Sequence, residues 1–345
     1  NVIKQFDNVS MIPRIQADGT IWSGGQIQDW DSNILWDFVP IRDTGRTFLM
    51  HHDWTRMWNK KLNQWTMLIV VNRNRTNAEA WAAGGDPGVN YESPMRINGI
   101  DFLVEVNMAK QVVWEWDFMD HTAQSKNPAW KRYVSDTKLA PGKMDVHWLT
   151  DNQRPKGTAG FVNDWAHVNS ADYDHDTGHV VVNPKHFSQM FVIDHDKTFV
   201  STTNWAANKA AAAGPDGDII YRWGNPSSYN AGEAPGWLSE GESQGYGWHA
   251  IQFIRPYHWE RPRLATDNWP DPATYTASEV SLPGAGNFLY FDNGCYNPSR
   301  MGSRVIEIDP RVGASGLPVV PYGQYVDPLV AGYQPLTYTQ SISGA

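Results

Sequence analysis

Phe102-Leu-Val-Glu-Val-Asn-Met-Ala-Lys-Gln-Val-Val-Trp-Glu-Trp-Asp-Phe118 reads as a β-hairpin. Apolar residues alternate on both arms, a polar bend separates them, and the second arm closes on Trp with an acidic residue. The same unit recurs along the chain. Ile27-Gln-Asp-Trp-Asp-Ser-Asn-Ile-Leu-Trp-Asp-Phe38 is a shorter copy, and residues 190–194 with residues 217–223 form a third, interrupted by a long insertion. Arg304-Val-Ile-Glu-Ile-Asp-Pro310 supplies the first half of a fourth. Another hairpin precedes several copies: Arg14-Ile-Gln-Ala-Asp-Gly-Thr-Ile-Trp22, residues 169–182 around Asp-Thr-Gly, and residues 282–291 around a Gly-rich bend. Two successive hairpins make a four-stranded antiparallel sheet. Such sheets repeating along a chain predict an all-β fold, a β-propeller whose blades they are. A sandwich or Greek-key barrel would also supply short strands, but not the recurrent Trp-acidic ending.

Between the repeats lie long spacers, residues 76–99, 122–163 and 197–248. In a propeller they would gather as inserted loops on one face and wall the central channel. Residues 1–345 thus read as a single propeller domain. Composition agrees: 18 Trp, 14 Tyr and 12 Phe fill space between sheets, and 29 Gly and 22 Pro punctuate the strands. With 28 basic against 37 acidic residues, the net charge of −9 repels a phosphate backbone and argues against nucleic acid as a partner. No apolar run approaches the ~18 residues of a membrane span. A lone cysteine, Cys295, excludes an internal disulfide framework and a Cys-based zinc site.

Several of the 11 histidines open strands beside Trp or Asp: Met50-His-His-Asp-Trp54, Asp120-His121, Asp164-Trp-Ala-His-Val-Asn169 and Gly247-Trp-His-Ala250. The first strand of a propeller blade lines the central channel, so His52, His167 and His249 are expected to converge on one axis. Convergent imidazoles fit a metal site, a nucleophile with helpers, or hydrogen-bonded turn residues. His175, His179 and His195 lie in or beside hairpin turns and read as solvated. His147 and His258 have no repeat context, and His186 shares a strand with Lys185.

Asp164-Trp-Ala-His-Val-Asn-Ser-Ala-Asp-Tyr-Asp174 closely resembles the bacterial arylsulfate sulfotransferases of the PAPS-independent kind. His51-His-Asp53, Val112-Val-Trp-Glu-Trp-Asp117, Tyr221-Arg-Trp-Gly-Asn-Pro226 and Phe291-Asp-Asn-Gly294 match that family in the same order. Ser341-Ile-Ser-Gly-Ala345 looks like the start of its final strands. The resemblance implies a six-bladed propeller, secreted or periplasmic, acting on small aromatic sulfate esters and phenols without PAPS or another cofactor. It further implies His249 as a nucleophile that carries the sulfuryl group as a sulfohistidine. His167 and Asn169 match the family's paired His and Asn, and His52 its early channel His.

These residue types suit the chemistry. Neutral imidazole is a nucleophile near pH 7, and a second histidine can protonate the departing phenolate and deprotonate the incoming phenol. An Asn amide and a cation would face the three sulfuryl oxygens. Where the family has Arg, the chain has Lys185, which keeps the charge but loses the bidentate fork. Where the family has Gln beside the nucleophile, the chain has Trp248. The loop between Arg255 and Pro283 is longer than the resemblance requires and is placed over the channel mouth. Other readings stay open: a non-catalytic secreted propeller that binds or assembles, a polysaccharide lyase-like propeller, or a metal enzyme with His52, His121, His167 and His249 as ligands of copper, zinc or iron. Closing strands are expected beyond Ala345, or from a partner chain or second copy completing the last blade.

Overall fold

The computed structural model describes residues 14–15, 19–23, 26–37, 42–43, 46–47, 49–92, 100–152, 164–232, 248–254, 286–292, 304–309 and 329–333. They are mostly β, arranged as four antiparallel sheets of four strands, each sheet running in chain order. The first holds β1 (Arg14–Ile15), β2 (Ile21–Ser23), β3 (Gln26–Gln28) and β4 (Ile34–Asp37). A ribbon of β5 (Arg42–Asp43) and β6 (Arg46–Thr47) follows. The second sheet holds β7 (Leu49–Asn59), β8 (Gln64–Arg73), β9 (Ile100–Asn107) and β10 (Val112–Asp117). A parallel pair, β11 (Thr122–Ala123) and β12 (Met144–Asp145), separates it from the third. That sheet holds β13 (Val168–Asp174), β14 (His179–Pro184), β15 (Gln189–Asp194) and β16 (Tyr221–Gly224). The fourth holds β17 (Trp248–Phe253), β18 (Phe288–Asp292), β19 (Arg304–Asp309) and β20 (Leu329–Tyr333).

Period-two alternation decides which face meets which neighbour. Met67, Ile69 and Val71 of β8 pack with Phe102, Val104 and Val106 of β9 against Ile27 and Trp36 of the first sheet. The intervening Leu68, Val70 and Leu103 face the other way, onto Ala171, Tyr173, Val180, Val182 and Phe191 of the third sheet. On the third sheet's far side, Val181, Met190, Val192 and Trp223 meet Ile251, Phe288, Tyr290, Ile306 and Ile308 of the fourth. Three apolar layers therefore join four sheets face to face in chain order.

The recurrent Trp has a structural account. Trp36 of β4 donates its indole N–H to the Met108 carbonyl at 3.1 Å, in the β9–β10 bend of the next sheet. Trp114 of β10 donates to Thr198 Oγ1 at 3.0 Å, just beyond β15 of the sheet after that. Each ring fills the inter-sheet space while its one polar atom bolts one sheet to the next.

The spacers carry structure of their own. Helix α1 (Asn77–Ala82) starts at a Thr76–Glu79 capping box. Helix α2 (Trp148–Asn152) follows β12, and α3 (His195–Thr198) and α4 (Trp205–Ala212) lie between β15 and β16. Asn204 caps α4, and Asn208 ties it to β10 by donating to the Val113 carbonyl at 2.8 Å.

Two expectations need correction. The hairpin assigned to residues 282–291 takes its first arm from β17, because Gly286 and Asn287 close onto Ile254 across the bend. The β7–β8 hairpin was absent from the repeat, since residues 51–53 break its alternation. Residues 255–285 and 334–345, and with them the Arg255–Pro283 loop and Ser341–Ala345, lie outside the described residues.

Candidate active site

The first strands of three successive sheets lie side by side, β13 between β7 and β17. As sheet edges they carry backbone N–H groups without a ladder partner, and neighbouring side chains accept from them. Asp53 Oδ2 accepts from Ala171 N at 3.2 Å. Ser170 Oγ accepts from Ile251 N at 2.9 Å, and Asp172 Oδ2 from Phe253 N at 3.0 Å. From β9, Asp101 Oδ2 accepts from Val168 N at 2.8 Å. These bonds fix the axial register of the three strands, and so the level at which their leading histidines sit.

Each of the three strands also breaks its pairing near its start. The register shifts fall between Met50 and Trp54, between Val168 and Ser170, and between His249 and Gln252. At or beside each break one residue takes the left-handed conformation: His52 (φ 59°), His167 (φ 49°) and Ala250 (φ 50°). A non-glycine residue there costs about 1–3 kcal/mol, and the bulge re-aims the side chains around it.

The rings converge. His52 stands edge-on to His167 with ring centroids 4.8 Å apart, and lies nearly parallel to His249 at 6.1 Å. His249 is buried, whereas His52 and His167 are half-buried. His167 Nδ1 meets Asp164 Oδ2 at 2.5 Å. A carboxylate on Nδ1 orients the ring and favours the proton on that nitrogen. Asn169 sits in the β13 bulge, buried, its amide without a hydrogen-bond partner among the described residues. Lys185, half-exposed, begins the turn after β14, and its N–H donates to the His167 carbonyl at 3.2 Å.

Two residues of this cluster were missed from the sequence. His186 lies with Lys185 in a 3-10 turn (Lys185–Phe187), not a strand, and stacks on His167 with centroids 4.9 Å apart. Asp164 was legible only as the acid three residues before His167; its backbone is also left-handed, at φ 57°.

Other histidines go elsewhere. His121 is buried flat against Trp116, with Nδ1 2.8 Å from Asp218, so it does not join the ligand set suggested with His52, His167 and His249. Burial, partly opposed by Asp218, holds its pKa below the usual histidine value. His175, His179 and His195, expected in solvent, are all buried, because their hairpin ends are covered by the β7 side of the second sheet and by α3. His147 is buried beside Trp130. His258 and the Trp248 side chain lie outside the described residues.

No curated protein matches the chain. Residues 89–208, from the segment before β9 to the middle of α4, match the family model for Arylsulfotransferase (ASST). The matched stretch contains Asp164, His167, Asn169, Lys185 and His186, while His52 and His249 flank it. No helix among the described residues is long and apolar enough to cross a membrane. Over that stretch, which holds β9, β10 and β13 to β15, the chain is similar to the arylsulfotransferases.

Proposed function

We propose that this chain transfers a sulfuryl group from an aryl sulfate ester to a phenol, outside the cytoplasm, at the hub of a closed six-bladed propeller. The ASST match suggests aryl sulfotransferase-type activity. The observation that carries the finer reading is the meeting of His52, His167 and His249, drawn from three sheets, ring against ring.

In this reading a ring nitrogen of His249 attacks sulfur, the N–S bond forms, and the ester S–O bond breaks. The departing phenolate takes a proton from His167 Nε2, while Asp164 holds the resulting charge distribution through Nδ1. The acceptor phenol then returns a proton to His167, and its oxygen displaces His249 from sulfur. Asn169 and Lys185 face the sulfuryl oxygens, and His52 packs between the two working rings. No cofactor enters this cycle.

The test is release of nitrophenol from 4-nitrophenyl sulfate with a phenol acceptor, using the full chain. Wild type is expected to turn over and to show, in acid-free quench, a His249 peptide heavier by one sulfuryl group; His249→Ala shows neither. Failure to release phenol across a panel of aryl sulfates would leave a binding propeller instead.

A further inference from the structure

We propose that Asp164, His167 and His186 form a binding site for a borderline divalent metal ion of the zinc class, and that an ion there holds the site in a resting, transfer-incompetent state. One donor atom from each of the three lies within 4.8 Å of the other two. Two imidazoles and one carboxylate are a donor set that suits zinc and its neighbours, with positions left for water or an anion.

Three further features support assembly of this set. First, the donors are held by backbone rather than by long side chains. The 3-10 turn (Lys185–Phe187) is tied to the 164–167 loop by His186 N donating to the Ala166 carbonyl and Lys185 N to the His167 carbonyl, each at 3.2 Å. His186 Nδ1 also lies 2.9 Å from the Asp164 carbonyl. Second, the loop is bracketed by left-handed Asp164 and His167, a strained turn that brings both side chains to the same side. Third, all three residues are half-buried, so an ion has a route in.

Tetrahedral binding at about 2.0–2.1 Å places donors roughly 3.3 Å apart. The 2.5 Å Asp164–His167 pair opens slightly and the wider pairs close, within rotamer adjustments. Coordination by neutral imidazole and ionised carboxylate displaces any proton shared by Asp164 and His167. A His167 ring bound to metal cannot cycle a proton, so occupancy and sulfuryl transfer exclude each other.

The binding half of this proposal does not depend on the sulfotransferase reading. Full-length protein, stripped with chelator, is titrated with cobalt(II) and followed by visible absorption and calorimetry. One ion per chain is expected, bound at micromolar or tighter concentration, with at least tenfold weakening in His186→Ala and in Asp164→Asn. Should His186→Ala fail to fold, by near-UV circular dichroism, His186→Gln takes its place. No binding by wild type, or binding untouched by both substitutions, overturns the site. In the activity arm, saturating zinc lowers nitrophenol release at least tenfold, chelator restores it, and His186→Ala is insensitive. Zinc-independent turnover by an enzyme that binds cobalt overturns the resting-state half alone; absence of any turnover speaks against the proposed function and leaves the binding result standing.

Discussion

His167 and His195 are both imidazoles pressed against carboxylates, yet their surroundings differ throughout. His167 leans on one acid three residues away in a strained, half-exposed loop, at 2.5 Å. His195 is almost wholly buried, with Nε2 2.9 Å from Glu105 and Nδ1 3.0 Å from Asp196. Glu105 Oε1 accepts in addition from Thr66 Oγ1 at 2.6 Å and Asn59 Nδ2 at 2.8 Å, and Tyr173 donates to Asp196 at 2.9 Å. Even the hairpin turn is shaped around this network: a side chain at Gly178, left-handed at φ 75°, would run into Asp196. The hydrogen bonds about His195 are made within the protein, and that cluster ties the second and third sheets together. About His167, Asp164 orients one ring nitrogen, the His52 and His186 rings stand against the imidazole, and the residue is half-buried. Deep burial around His195 and partial exposure around His167 are the difference, and under the proposed function they mark a structural cluster and a working one.

The sharpest way to break this contrast is substitution at the two histidines. His167→Ala is expected to lower kcat by roughly 10²–10⁴-fold while leaving urea unfolding nearly unchanged. Loss of activity in His195→Gln without loss of stability would reverse the assignment. Next in size, Glu105→Ala strands a buried imidazolium and is expected to cost about 3–5 kcal/mol in chemical denaturation. A change below 1 kcal/mol would show that His195 is neutral in the folded chain.

The pH dependence sharpens the same point. Burial opposes the charge on His195, but Glu105 and Asp196 outweigh it and push the pKa up to about 9 from an ordinary 6.5. A folded-state pKa above the unfolded one means that the stabilisation is complete below about pH 6.5 and is lost as pH rises through about 9. Melting temperature should therefore fall across that alkaline window in wild type and stay flatter in His195→Gln. The smallest effect concerns Lys185. Restoring the guanidinium fork with Lys185→Arg is expected to raise kcat/KM severalfold for aryl sulfates, with no change in melting temperature.

Much of the architecture was legible because hairpins advertise themselves locally. The arms at residues 102–118 and 27–38 alternate cleanly, and the Trp endings mark equivalent positions even though their partners, Met108 and Thr198, lie in the next sheet. The β7–β8 hairpin was illegible for a physical reason: three residues of β7 stand opposite one of β8, and such a bulge erases the period that reveals a strand. His52, His167 and His249 could be anticipated from their position in the repeat. His186 could not, since its place depends on a 3-10 turn and two backbone bonds that leave no periodic trace. The buried state of His195 was equally hidden, because Glu105 comes from 90 residues earlier in the chain.

The left-handed kinks at the head of β7, β13 and β17 have one more consequence. Since the strand's own path, and not the chemistry of any particular side chain, decides what is presented inward, those positions behave as sockets. Under the proposed function, swapping the occupant of a socket alters the reagents on offer without redesigning the frame that holds them. Descendants of such a repeat would diverge fastest in reaction and slowest in shape.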